Sequence, residues 1–115
     1  MKRKAEATKL IEAALFKNMG NFTVWHVYGI LNRANKNYDM ARKAYLNALK
    51  QDTSNSNVLR DLATLQVTLN DYEGLMETRR KIVVNRPELT HFVGYITAAI
   101  LAKNYASAVD IWDSI

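Results

Sequence analysis

The stretch WHVYGILNRANKNYDMARKAYLNAL, residues 25–49, decides how this chain is read. It sets a Trp beside a His, places a Gly inside an apolar run, and spaces small Ala residues at fixed intervals. Two readings compete: His26 beside Trp25 opens an active site, or the whole stretch is a code for packing helices. Shifting the chain against itself by 34 residues separates them. Asn37-Tyr38-Asp39 falls on Asp71-Tyr72-Glu73, Trp25 on Leu59, Tyr28 on Leu62 and Gly29 on Ala63. A further shift of 33 carries Tyr72 onto Tyr105, Leu75 onto Ala108 and Arg79 onto Trp112. A backward shift of 34 carries Ala41 onto Ala7 and Ala48 onto Ala14. Recurrence of apolar and small residues at a fixed period is the mark of a stacked repeat.

Trp-x2-Tyr-Gly followed by Ala-x3-aromatic-x2-Ala at this period resembles the tetratricopeptide (TPR) repeat, in which each unit is two antiparallel helices. The fold expected is all-α, a right-handed superhelical solenoid of about seven helices. Gly29 and Ala41 are placed where the two helices of one repeat approach closely, since a Gly inside a helix costs roughly 1 kcal/mol relative to Ala and needs a packing reason. Trp25, Tyr28, Tyr45 and Leu49 are expected to fill the space around that contact and reach toward the adjacent repeat, with Ala48 completing the pattern.

The predicted layout is a leading helix over 3–18, a repeat over 22–55, a second over 56–87 and a partial one over 88–115. Turn signals separate the helices: NMGN at 18–21, NKN at 35–37, DTSNSN at 52–57, ND at 70–71 and NRP at 85–87. Pro87 suits a helix entry, where its missing N–H is not needed. The pattern departs from the usual one at Asn32, Thr53 and Arg79, in place of Tyr, Pro and an aromatic. No polar capping repeat stands at either end, so the chain is expected to be a fragment truncated at both ends, whose uncapped apolar faces self-associate.

Composition narrows the function classes. The chain has 115 residues, 49% of them hydrophobic, with no Cys, which excludes disulfides and Cys-ligated metal centres. No apolar run is long enough for a membrane helix, and the basic start alternates with apolar residues at helical spacing, unlike a signal peptide. The net charge of +5 is unevenly placed: residues 1–60 hold eleven Lys and Arg against four acids, residues 61–115 five against seven. Such asymmetry points to an anionic partner for the first half, against the plainer reading of a solvated charged face.

Catalytic parts are scarce. His26 and His91 lie on different repeats, and no HExxH, GxSxG or CxxC motif or phosphate-binding loop is present. His26 is read as a groove-facing, solvated residue without a partner base. Asp71 and Glu73 sit at a helix start, where the helix dipole favours negative charge. The candidate groove face comprises Thr23, His26, Ile30 and Arg33, then Asn57, Arg60, Thr64 and Val67, then Thr90 and Thr97. It lacks the Lys and Asn clamp of chaperone-tail receptors, which leaves a groove for a helix or extended segment of another protein. No catalytic residue, cofactor or metal is assigned.

More specific words narrow the reading. WHVYGILNRANKNYDMARKAYLNALKQD and NVLRDLATLQVTLNDYEGLMETRRKIV resemble the auxiliary subunit of the N-terminal acetyltransferase A (NatA) complex, with FVGYITAAILAKNYASAVDIWDSI continuing the likeness. The resemblance covers about residues 21–115 and implies similarity to the early repeats of that subunit. It implies a non-enzymatic, cytoplasmic scaffold that wraps a catalytic acetyltransferase subunit and anchors it at the ribosome, where nascent N-termini are acetylated. By that analogy Lys2, Arg3, Lys4, Arg42 and Lys43 are candidates for contact with ribosomal RNA. The alternatives are a TPR part of another assembly, an RNA-binding repeat, or a TPR portion of a multidomain enzyme such as an O-linked GlcNAc transferase.

Overall fold

The computed structural model describes residues 2–17 and 21–114, without the side chains of residues 2, 4 and 5. Of the turn expected at 18–21, only Asn21 falls within the described residues. Among these residues seven helices follow one another without a strand: α1 (Lys2–Lys17), α2 (Phe22–Ala34), α3 (Tyr38–Gln51), α4 (Ser56–Thr68), α5 (Tyr72–Asn85), α6 (Leu89–Leu101) and α7 (Tyr105–Ser114). The architecture is the all-α, TPR-type helical hairpin.

The repeat is written in the helix caps. Asn21 Oδ1 accepts from the Val24 amide at 3.2 Å, and 34 residues on Asn55 Oδ1 accepts from the Val58 amide at 3.2 Å. On the alternate helices Asp71 accepts from the Gly74 amide at 3.1 Å and Asn104 from the Ser107 amide at 3.2 Å. Each cap satisfies an amide that has no partner inside its helix, and its loss costs about 1 kcal/mol. Asp71, read from sequence through the helix dipole, is therefore also a direct cap. Helix α6 has no side-chain cap at Glu88, and Pro87 stands exposed before that residue, outside the helix it was expected to open.

The turns inside the hairpins repeat as well. Lys36, Asn70 and Lys103 all have positive φ, at 63°, 56° and 60°. Around the first, the Lys36 amide donates to Arg33 O at 3.0 Å and the Asn37 amide to Asn32 O at 2.8 Å. The same two bonds recur around Asn70 (to Val67 O and Gln66 O) and around Lys103 (to Ile100 O and Ala99 O). This paired closure is the Schellman motif, which commonly takes Gly at the left-handed position. Lys36→Gly is expected to raise stability by about 0.5–1 kcal/mol, because an L side chain is strained there and Gly is not. A thermal midpoint that fails to rise would refute this account of the turn.

Two compact units divide within α4, one running to Asp61 and one from Leu62 onward. In the first, α2 packs on α3 and α1 on α2. Leu15, Tyr28 and Ala44 form a buried cluster, with Ile11, Val24 and Trp25 packed against it. Trp25 meets the Tyr28 ring edge-on, with centroids 6.3 Å apart. Ala41, Ala44, Tyr45 and Ala48 are all buried on α3, so small residues bring that helix close to its neighbour. In the second unit Ala63, Leu75 and Ala98 are the buried cluster, with Tyr72 and Met76 against it.

Two polar substitutions in the repeat are absorbed internally. Asn32, where the pattern usually has Tyr, is buried, and its Nδ2 donates to Tyr28 O at 2.8 Å. Gln66 and Thr78 are buried together, the Thr78 hydroxyl donating to Gln66 Oε1 at 2.7 Å. A satisfied buried polar pair costs little, whereas removing one partner leaves the other unpaired at about 1–3 kcal/mol.

Candidate functional site

In the first unit the candidate groove residues Thr23, Ile30, Arg33, Asn57 and Arg60 are exposed, and an Arg60 guanidinium nitrogen lies 3.4 Å from Asn57 Oδ1. His26 differs from its expected state. Its side chain is only 19% exposed and its Nε2 lies 2.9 Å from Asp61 Oδ2, whose side chain is 25% exposed. The imidazole sits between rings, with centroids 5.9 Å from Phe22 and 6.1 Å from Tyr45. The reading of a solvated histidine without a partner is thus corrected: the ring is held by a carboxylate from α4 and two aromatic neighbours. The signal was present in the repeat. A shift of 34 puts His26 on Arg60, and Asp61 is the next residue along.

A His–carboxylate pair orients an imidazole, but acyl-transfer chemistry also needs a nucleophile and donors for a developing oxyanion. The groups against His26 are the Asp61 carboxylate and the Phe22 and Tyr45 rings, and among the described residues no group of three or more His, Asp and Glu could hold a metal. The pair ties α2 to α4; Ile30 and Arg33, four and seven residues after His26, lie on the same stripe of α2, and Arg60 precedes Asp61 on α4.

Against the imidazole lies Tyr45. It is fully buried, and its hydroxyl makes no hydrogen bond. Burial pushes the phenol above its usual pKa; the Asp61 carboxylate adds to this, and the Arg33 guanidinium pulls the other way. A Cβ added at Gly29 would lie 2.5 Å from Tyr45 Cε1 and 2.6 Å from Cδ1. Gly29 therefore faces the Tyr45 ring, so the close approach is Gly against an aromatic within one hairpin.

In the second unit Thr64, Val67, Thr90 and Thr97 are exposed. Thr97 donates to the Val93 carbonyl of its own helix at 2.9 Å, which lowers its value as a ligand donor. Leu89, Val93 and Ile100 are exposed on the same helix, so α6 presents apolar surface more than a polar code. Arg79, Arg80 and Lys81 follow one another on α5, where Arg80 Nε donates to Glu77 Oε2 at 3.1 Å and half-buried Arg79 lies beside Gly94. His91 Nε2 is 3.6 Å from Glu88 Oε2 at the start of α6.

Of the candidate basic contacts, Arg3 and Lys43 are exposed, and Arg42 is half-buried with its Nη2 3.5 Å from Asp39 Oδ1. The side chains of Lys2 and Lys4 lie outside the described residues.

Comparison with known proteins follows the same lines. The human protein named N-alpha-acetyltransferase 16, NatA auxiliary subunit, is 40% identical over 110 residues, which is 95% of this chain. An Arabidopsis thaliana protein named N-terminal acetyltransferase A complex auxiliary subunit NAA15 is 34% identical over 115 residues, 99% of this chain. The chain spans 13% of the length of each of these relatives. Among solved structures, a chain of Naa15/Naa10 bound to HypK-THB superposes with a TM-score of 0.90 at 36% identity, covering 99% of this chain and 17% of that one. MamA superposes with a TM-score of 0.75 at 19% identity over 92% of this chain and 58% of its own, a likeness of fold. No protein-family model matches the chain.

Proposed function

The chain belongs to the NatA auxiliary subunits, as the counterpart of one segment of those longer proteins, and from that premise we propose that it is a non-catalytic scaffold segment serving an acetyltransferase partner. The observation that carries the reading is the superposition on the Naa15/Naa10 structure over nearly the whole chain. Exposed residues on α2 and α4 support it: Ile30 offers an apolar contact and Arg33 and Arg60 offer cations, on the two helices that the His26–Asp61 pair joins. A rigid element with an apolar centre and charged edges suits a protein partner. On this reading the chemistry, and any acetyl donor, belongs to the partner.

The same reading gives the basic first half a cytoplasmic role, anchorage at the ribosome through ribosomal RNA. Arg3 and Lys43 are the exposed candidates, with Lys2, Lys4 and Arg42 beside them in sequence. A pull-down with the immobilised chain should retain an N-terminal acetyltransferase catalytic subunit, and Ile30→Asp with Arg33→Glu should lose it while the helical signal stays intact. Retention unaffected by those changes would sink the assignment of the face. Reversing Arg3 and Lys43 in the protein that carries this segment should weaken ribosome co-sedimentation, more so at higher salt.

A further inference from the structure

Of the polar departures from the repeat, Asn32 is absorbed by an internal hydrogen bond and Arg79 is not. A shift of 34 puts Tyr45 on Arg79, and a shift of 33 puts Asp61 on Gly94. In the first unit Tyr45 is fully buried against the ring of His26, which the Asp61 carboxylate holds at 2.9 Å. In the second unit the same two places hold a guanidinium and a residue with no side chain. Half-buried Arg79 lies against Gly94: a Cβ built there would meet Arg79 Nη1 at 3.4 Å, Cδ at 3.6 Å and Cζ at 3.7 Å. Helix α5 packs on α6 and α6 on α7, so this contact lies within the stack of helices and not on an end of it.

The charge at that place is not balanced from within. Arg80, one residue on, donates to Glu77, and Arg42 on α3 lies beside Asp39. Among the described residues no hydrogen bond, ion pair or ring contact engages the Arg79 guanidinium. Half-burial strips water from a cation, which is costly unless an anion replaces it. The carboxylate that the earlier repeat carries at Asp61 has no counterpart at Gly94. Arg79 and Gly94 are both partly exposed, so an anion from outside can reach the guanidinium. Its five N–H donors form a fixed fork that matches a carboxylate two at a time. Exposed Thr90 and Thr97 share a stripe of α6 with Gly94, and exposed Val93 adjoins them. Residues 61–115 hold five Lys and Arg against seven acids, a balance that repels a polyanion such as nucleic acid and admits a lone carboxylate among apolar side chains.

We propose that Arg79 anchors a carboxylate of another protein, an Asp or Glu side chain within an apolar segment that lies along the Thr90–Gly94–Thr97 stripe of α6. The carboxylate pairs with the guanidinium, Gly94 keeps the approach open, and Val93 supplies the apolar contact. The site makes no use of Ile30, Arg33 or Arg60 and does not depend on the acetyltransferase reading.

Nuclear magnetic resonance of the 115-residue chain tests it, with the pentapeptide Leu-Ala-Glu-Ala-Leu, acetylated and amidated at its ends so that Glu is its one carboxylate. The Arg79 Nε–H and Gly94 amide signals should move saturably as peptide is added. The Gln analogue should bind about tenfold more weakly. Arg79→Gln should erase that preference, and Arg79→Lys should keep it in weakened form, since an ammonium lacks the fork. Gly94→Leu lays a side chain over the guanidinium while removing a residue unfavourable in a helix, so it should abolish binding with the helical circular dichroism unchanged. Signals that stay still at millimolar peptide overturn the proposal, as do equal affinities for the Glu and Gln peptides or a preference that survives Arg79→Gln. A short oligouridine that moves the same two signals at lower concentration than the peptide also overturns it, in favour of a nucleic-acid partner.

Discussion

Tyr45→Ala is expected to cost about 3–5 kcal/mol, enough to leave the chain largely unfolded at moderate temperature. The ring is fully buried on α3, its face closes on Gly29, and it forms one wall of the His26 site. Truncation removes the contacts of both and opens a cavity that rigid helices cannot collapse to fill. The companion change separates ring from hydroxyl. Tyr45→Phe keeps the ring and removes a buried oxygen that makes no hydrogen bond, so it should be neutral or should stabilise by about 1 kcal/mol. Urea denaturation of both variants checks the pair. A Phe variant as damaged as the Ala variant would mean the hydroxyl carries the stability, against the geometry.

Gly29→Ala comes next in size, with an expected net loss of about 1–3 kcal/mol. Helix propensity alone favours the change by roughly 1 kcal/mol. The obstacle is the ring, since an added methyl would lie 2.5 Å from Tyr45 Cε1, and a buried aromatic has no room to swing aside. A double-mutant cycle isolates that cause. In a Tyr45→Leu background the same Gly29→Ala change should lose most of its cost, because the branched chain can vacate the contact. Additive losses would show that Gly29 is small for some other reason.

The fold was legible in the sequence because a repeat reports the same physics several times over. Any single small residue is weak evidence, yet Gly29, Ala41 and Ala48 at repeating offsets point to close helix packing, and seven helices follow one another among the described residues. The site was less legible. Exposure of Thr23, Arg33, Asn57 and Arg60 followed from helical phase, which is a one-dimensional property. The state of His26 did not follow, because pairing with Asp61 depends on how two successive first helices lie side by side. Asn32 shows the same limit: a polar residue at an apolar position reads as decay of the pattern, whereas its Nδ2 donates to the Tyr28 carbonyl. Pro87 erred differently, since a generic preference for helix entry could not say that Glu88 would intervene.

The left-handed turns at Lys36, Asn70 and Lys103 bear on how the chain is made as well as how it holds. Each is closed by two hydrogen bonds between residues no more than five apart, so its formation needs no distant segment. A turn built this way can set as soon as its second helix clears the ribosomal exit, before the next repeat has emerged. Assembly then runs in the order of translation, and the entropic cost of bringing remote segments together stays small at every step.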